Sequence, residues 1–201
     1  RKMTLEHNRS AIERHIELLT QPWIEGGLSA LLELRCLKDK GGSRSHYANP
    51  SDADFLDDAI TQVCDLNQAG WNAYICVNPI DNTHDGPAKD ADIVGAYFAF
   101  ADADDAKASE QLLASHAQPD FYVQTGTVPT QRLHAYWSIE GIPDLDDWRV
   151  MQQRLITKFG SDKQICNPSR VMRLAGTVAY PTETKRTRGY IPELTLLKED
   201  F

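Results

Sequence analysis

At 201 residues and 41% apolar, the chain is long enough for one large domain or two small lobes around a shared cleft. Its net charge of −8 excludes a protein that coats nucleic acid over its whole surface, though not one with a local basic groove. No apolar run approaches the roughly 20 residues that span a bilayer and no signal peptide is visible, so a cytoplasmic protein with no membrane partner is expected.

The four cysteines, Cys36, Cys64, Cys76 and Cys166, form no C-x-x-C pair and no zinc spacing. They read as reduced thiols. The first residue is not Met, so a fragment of a larger protein is expected.

Residues 5–20 place Leu5, Ile12, Ile16 and Leu19 at helical steps and predict an amphipathic helix that ends at Pro22. Residues 30–37 predict a strand with Glu33 and Arg35 on the less apolar face. Arg35 could reach a ligand; a surface ion pair is its commoner role. Residues 38–50 read as a polar loop holding Gly41-Gly42 and Ser43-Arg44-Ser45-His46. No helix starts directly behind the glycines, as a phosphate cradle would need. Residues 51–67 predict a helix with Phe55, Leu56, Ala59, Ile60, Val63 and Leu66 as its stripe. Ser51 and Asp54 have the form of a capping box, and Gly70 ends the element. Residues 71–80 predict a second strand stopped by Pro79, and residues 81–91, with His84 and Asp85, a surface loop.

Residues 95–105 are an apolar, aromatic run that ends in Asp102, Asp104 and Asp105. Side chains alternate along a strand, so Asp102 and Asp104 share a face. Two such carboxylates repel each other and are comfortable as anions mainly around a cation. Oxygen ligands at a strand end suit Mg²⁺ or Mn²⁺. The alternative is that Asp104 or Asp105 simply caps the helix predicted over 106–117. The order strand, loop, strand makes residues 71–80 and this strand antiparallel neighbours, with the helix as a crossover.

Residues 119–127 predict a strand that breaks at Gly126, and residues 132–139 its hairpin partner across a turn at 128–131. Leu133, Ala135, Trp137 and Ile139 share one face; Arg132, His134, Tyr136 and Ser138 share the other, which meets water or a polar cleft. With Gln124-Thr125-Gly126 ending the neighbouring strand, a polyanion could lie across this hairpin. Residues 143–159 predict a helix with Asp144, Asp146 and Asp147 in its first turn and Gly160 as its stop. Asn167-Pro168-Ser169 opens a short helical turn that would put Arg170 and Arg173 on one face. Lys163, Arg170, Arg173, Lys185, Arg186 and Arg188 crowd into residues 163–188 with Glu183 as the opposing acid. That is a footprint for a phosphate-rich partner, or else a solvated surface. Residues 190–198 predict a closing strand.

Three of these stretches line up in order with the motifs of a known family. They are Phe100-Ala101-Asp102-Ala103-Asp104-Asp105; Gln124-Thr125-Gly126 with Leu133-His134-Ala135-Tyr136-Trp137; and Asp162 followed by Asn167-Pro168-Ser169-Arg170-Val171-Met172-Arg173-Leu174-Ala175-Gly176-Thr177. The set resembles the archaeo-eukaryotic primase (AEP) superfamily, in its plasmid- and phage-borne primase–polymerase branch with RepB-type primases. Residues 30–190 carry the resemblance. Gln-Thr-Gly stands where Ser-Gly is usual, and Ala175 where Pro is usual.

The resemblance implies an α/β (α+β) fold. An RNA-recognition-like sheet unit, about residues 91–190, would pack beside an N-terminal α/β lobe, about residues 1–90, within one catalytic domain and with the active site in the cleft between them. It implies template-dependent nucleotidyl transfer, with Asp102 and Asp104 bridging two Mg²⁺ or Mn²⁺ ions and Asp162 as the third acid. His134 would hold the phosphates of an NTP or dNTP, joined by Thr125, Arg132, Arg170 and Arg173. Lys185, Arg186 and Arg188 would track a single-stranded DNA template, and a helicase domain or partner could accompany the chain. Rival readings are a metal-dependent Asp-x-Asp glycosyltransferase, a rolling-circle nuclease, and a catalytically silent single-stranded nucleic-acid-binding module.

Overall fold

The structure, a computed structural model, describes residues 5–81, 83 and 85–199; His84 lies outside them. Helix α1, Arg9–Glu25, starts on Asn8, whose side chain accepts the Ala11 N–H. It runs through Pro22 instead of stopping there. So near the helix end the proline forfeits only one backbone bond. Trp23 in that last turn is buried, and its indole donates to Leu19 O at 2.7 Å.

Strand β1, Leu32–Leu37, pairs antiparallel with β2, Ser43–Ala48, in the stretch expected to be a loop. The turn between them has left-handed backbone at Lys40, Gly41 and Gly42 (φ 66°, 103° and 126°), and glycine adopts it without a side-chain clash at the last two. β2 is polar because it lies at the sheet edge with its first half exposed. Helix α2, Ala53–Gln68, has its cap one residue later than expected: Asp52, not Ser51, caps it by accepting the Phe55 N–H. β3, Asn72–Cys76, follows on the other side of β1.

The ion pair expected at the surface is buried. Glu33 is fully buried and accepts Arg35 Nε and Nη2, both at 2.7 Å, together with Ser45 Oγ and the Ala88 N–H. A buried carboxylate needs this degree of satisfaction. It anchors the 81–91 loop over the sheet, as does Tyr47 Oη, which donates to Gly86 O at 2.8 Å.

The next strand, β4, Ala96–Ala103, belongs to a second sheet. The segment leading into it meets the end of the 71–80 stretch through an isolated bridge between Ile80 and Ile93 and through the Val94 N–H, which donates to Pro79 O at 3.2 Å. β4 itself pairs with the strand Arg132–Ile142, so the two strands are not ladder neighbours. After β4 come α3, Ala106–Leu113, the hairpin of β5, Phe121–Gly126, and β6, Arg132–Ile142, and then α4, Leu145–Phe159. β6 lies between β4 and β5, which makes the unit a split β-α-β. Tyr136 does not face water. It stacks on Phe121 at 4.6 Å inside the main core, which also takes in Phe98, Phe100 and α1.

The run expected to be a helical turn is instead strand β7, Val171–Arg173, which pairs with β3 and completes the first sheet as β2-β1-β3-β7. The tail forms β8, Val178–Ala179, a short α5, Glu183–Thr187, β9, Glu193–Leu194, and β10, Leu196–Lys198. The single closing strand is thus two. β9 pairs with β8, and β10 joins β5 to give the order β10-β5-β6-β4.

That order leaves β4 at an edge. Its outward backbone is satisfied from α4 and the segment behind it. Trp148 Nε1 donates to Phe98 O at 2.9 Å. Gln152 exchanges two 2.9 Å bonds with Phe100 N and O and also donates to Ile165 O. The Asp162 N–H donates to Asp102 O at 3.1 Å. One core joins both sheets through α1, and a second lies between β4, β6 and helices α3 and α4. All four cysteines are free thiols, and among the described residues no helix is long and apolar enough to cross a membrane.

Gln152 is fully buried, so truncating it strands three backbone groups. Gln152→Ala is expected to cost about 3 kcal/mol of stability. Chemical denaturation checks this; a change below about 1 kcal/mol would show that β4 has other partners at its edge.

Candidate active site

The apolar face of β4 packs into the main core until Phe100. Two residues on, the same face reaches Asp102 and the sheets part. A cleft of about 250 Å³ opens there, lined among others by Asp102, Asp104, Thr125, Arg132, His134 and Asp162. Arg170, Arg173 and Lys185 line it from the opposite wall, with Asn72, Tyr74, Tyr180 and Tyr190.

The register of β4 on β6 sets Asp102 directly across from His134. His134 Nδ1 accepts the Arg173 N–H at 3.2 Å, so the ring's available hydrogen is on Nε2. Nε2 lies 3.4 Å from Asp102 Oδ1, a charge contact without hydrogen-bond geometry. That oxygen is buried and has no hydrogen-bond partner among the described residues. Asp105, not Asp104, caps α3 by accepting the Ala108 N–H at 2.8 Å, which leaves Asp104 to the cleft.

The two carboxylates respond oppositely to their surroundings. Burial alone would push Asp102 up, but His134, with Lys185 and Arg170 beyond it, holds it below the ordinary carboxylate range. Asp104 is pushed above that range, first by burial and then by the charge of Asp102. A buried oxygen lacking a donor beside a destabilised second carboxylate suits a divalent cation with oxygen ligands. The Asp162 side chain accepts the Gln164 N–H at 3.0 Å, and among the described residues no three His, Cys, Asp or Glu side chains form a ready metal group.

The cationic wall is built from the first sheet and its neighbours. Arg173 Nη1 donates to Asn72 Oδ1 at 2.6 Å, and its guanidinium lies 4.3 Å from the Tyr74 ring. Arg170 precedes β7 and donates to Gln164 O. The turn that carries it is tied to Asp90, which accepts Ser169 N at 3.0 Å and Ser169 Oγ at 2.7 Å. Because β7 is a strand, Arg170 and Arg173 do not share a helical face; each reaches the cleft from its own anchor. Arg132 is committed to the fold. It donates to Val128 O, Thr130 O and Glu193 Oε2, and Tyr190 covers it at 4.5 Å. Gly126 makes room for it, since a Cβ there would sit 1.9 Å from Arg132 Nη2. Arg186 and Arg188 lie on α5 and just after it, outside the lining.

No protein-family model matches the sequence, and no curated protein does. Among solved structures, the chain superposes on the AEP domain of the primase–polymerase (PrimPol) of cyanophage S-2L with a TM-score of 0.63. The match has 28% identity and covers 96% of this chain and 90% of that one. The chain is related to the AEP primase–polymerases. The primase RepB′ aligns with a TM-score of 0.64 at 12% identity, over 96% of this chain and 56% of that one. The catalytic domain of RepB′ in complex with initiator DNA gives 0.61 at 12%, over 96% and 84%. At that identity the two RepB′ structures speak for the fold alone.

Among the lining residues that escaped the sequence reading are Asn72, Tyr74, Tyr180 and Tyr190. Asn72 and Tyr74 stand two apart on one strand, and that spacing was available as a signal. Nothing in the sequence announces that Glu193 neutralises Arg132.

The raised Asp104 carboxyl gives a test. The folded chain holds that proton more tightly than the unfolded chain, so ionising it costs stability at neutral pH. Below the unfolded carboxylate range both states are protonated and the cost is gone. Asp104→Asn is therefore expected to raise the thermal midpoint in metal-free buffer at pH 7, with the gain shrinking as the pH falls through the carboxylate range. An unchanged or lower midpoint at pH 7 would contradict the assignment.

Proposed function

We propose that the chain is a template-dependent nucleotidyltransferase, a DNA primase or primase–polymerase acting in plasmid or phage replication. It would join a 3′-hydroxyl to the α-phosphate of an NTP or dNTP and release pyrophosphate. The observation that carries this reading is the meeting of three distant segments at one cleft. The end of β4 brings Asp102 and Asp104, the start of β6 brings His134, and residues 162–173 bring Asp162, Arg170 and Arg173. The likeness to a primase–polymerase domain along nearly the whole chain supports it.

Asp102, Asp104 and Asp162 are the residues suited to hold Mg²⁺ or Mn²⁺ in this reading. Two such ions, when bound, lower the cost of deprotonating the attacking hydroxyl and of the charge on the leaving pyrophosphate. Asp162 is tied to Asp102 through its main chain, and its carboxylate, which accepts the Gln164 N–H, would have to turn from that bond to join the pair. His134 offers Nε2–H to a phosphate oxygen, with its ring fixed from behind by the Arg173 N–H. Arg173 and Arg170 supply planar forks for the triphosphate, and Lys185 a point charge. Arg132, its charge matched by Glu193, shapes the floor beside Thr125. A single-stranded template would pass this wall.

Primer extension on a single-stranded template with Mg²⁺ or Mn²⁺ tests the proposal. Wild type is expected to add nucleotides, and Asp102→Ala/Asp104→Ala to lose about a thousandfold or more in rate. Equal rates would reject the site; turnover of sugar nucleotides in place of extension would favour a glycosyltransferase.

A further inference from the structure

The Gly41-Gly42 turn and the polar strand behind it have no part in the cleft, yet they carry Lys38, Lys40 and Arg44. Lys38 Nζ and the Arg44 guanidinium both lie over the Trp71 ring, at 5.5 and 5.3 Å. Trp71 directly precedes Asn72, a cleft residue, and strand alternation turns it to the opposite face of the sheet. The turn is also joined to α5. Lys40 Nζ pairs with Glu183 Oε2 at 3.1 Å, and the Glu183 N–H donates to Asp39 Oδ2 at 3.1 Å. Two residues along, Lys185 enters the cleft lining, and Lys185 and Arg188 flank the Tyr190 ring at 5.4 and 5.6 Å.

These contacts make one rim. It begins in the cleft at Lys185 and Tyr190, crosses α5, and wraps round the turn end of the first sheet to Trp71. Lys38, Lys40, Arg44, Lys185, Arg186 and Arg188 face Asp39 and Glu183 along it, in a chain whose net charge is −8. Cations interleaved with aromatic rings fit a partner that alternates phosphates with flat bases. An acidic peptide would use the charges but not the rings.

We propose that this rim is a track for single-stranded nucleic acid, carrying the strand between the cleft and Trp71 by way of α5 and the β1–β2 turn. The track rests on the nucleotidyl-transfer reading for its substrate, but binding can be measured without catalysis.

The test is fluorescence anisotropy with a labelled oligonucleotide of about 20 nucleotides, long enough to leave the cleft, titrated at several salt concentrations. The variant Lys38→Gln/Lys40→Asn/Arg44→Gln removes the outer charges; Asn tolerates the left-handed backbone at position 40. It is expected to weaken binding tenfold or more at low salt and to flatten the log Kd against log salt slope by about 2. The control Lys107→Gln/Arg154→Gln/Lys158→Gln changes net charge equally on α3 and α4 and is expected to keep the wild-type slope. Thermal unfolding of both variants establishes that they are folded. An unchanged slope in the first variant, or an equal loss in the control, overturns the track. Polyglutamate competing as well as unlabelled oligonucleotide overturns it too, leaving a general polyanion surface. If wild type extends primers while the slope does not move, the track alone fails. If the slope moves while wild type makes no product, the nucleotidyl-transfer reading fails and the track stands.

Discussion

β4 is an edge strand, and the way its outer backbone is satisfied decides where the acids of the cleft sit. An open edge is both a cost and a template for wrong pairing. Here Trp148, Gln152 and the Asp162 N–H meet the outward groups at positions 98, 100 and 102 in turn. The last of these contacts lies at the strand's acidic end. The chain leaving α4 therefore seals the edge and delivers Asp162 beside Asp102 with the same bond. Position in the site and stability of the sheet are one feature at this point.

The opposite edge of β4 does the complementary work. Its pairing with β6 fixes Asp102 against His134, and a slip of β4 by one residue would turn Asp102 to the α3–α4 side. His134 is then the hinge between the two sheets, since its ring accepts the main-chain N–H of Arg173 from β7. β7 belongs to the first sheet by pairing but to the third motif by sequence. The cleft thus forms where His134 of the second sheet meets the Arg173 main chain of the first, above a core that both sheets share.

Much of this was legible in the chain. The alternation of residues 95–105 placed Asp102 and Asp104 on one face, and the hairpin of β5 and β6 followed from its turn signals and parity. What the sequence hid was mainly tertiary. β2 is polar because it is an edge, so its composition reads as loop. β7 is three residues long and preceded by Asn167-Pro168-Ser169, so it reads as a helical turn until β3 lies beside it. Tyr136 shares parity with His134 and yet is fully buried, because the sheets close over that face one step below the cleft. Arg132 looked available for phosphate because Glu193, sixty-one residues away, cannot be paired with it from sequence alone.

The two carboxylates at the end of β4 have the same chemistry and nearly the same address, and the fold treats them differently. Asp102 lies next to His134 and stays ionised; Asp104 carries the strain of the pair as a raised affinity for a proton. Uncompensated charge of this sort is costly to keep in a folded chain unless something bound relieves it. Nearby cations offset it only in part: Arg132 is matched by Glu193, and Arg173 is held in place by Asn72 and the Tyr74 ring. Lys185 and Arg170 line the same cleft and help to hold Asp102 ionised, while Asp104 stays raised. An arrangement that merely stored charge would pair its acids with its bases. Here the proton affinity of Asp104 is raised although Arg170, Arg173 and Lys185 line the same cleft, so the fold leaves the charge of that carboxylate incompletely offset.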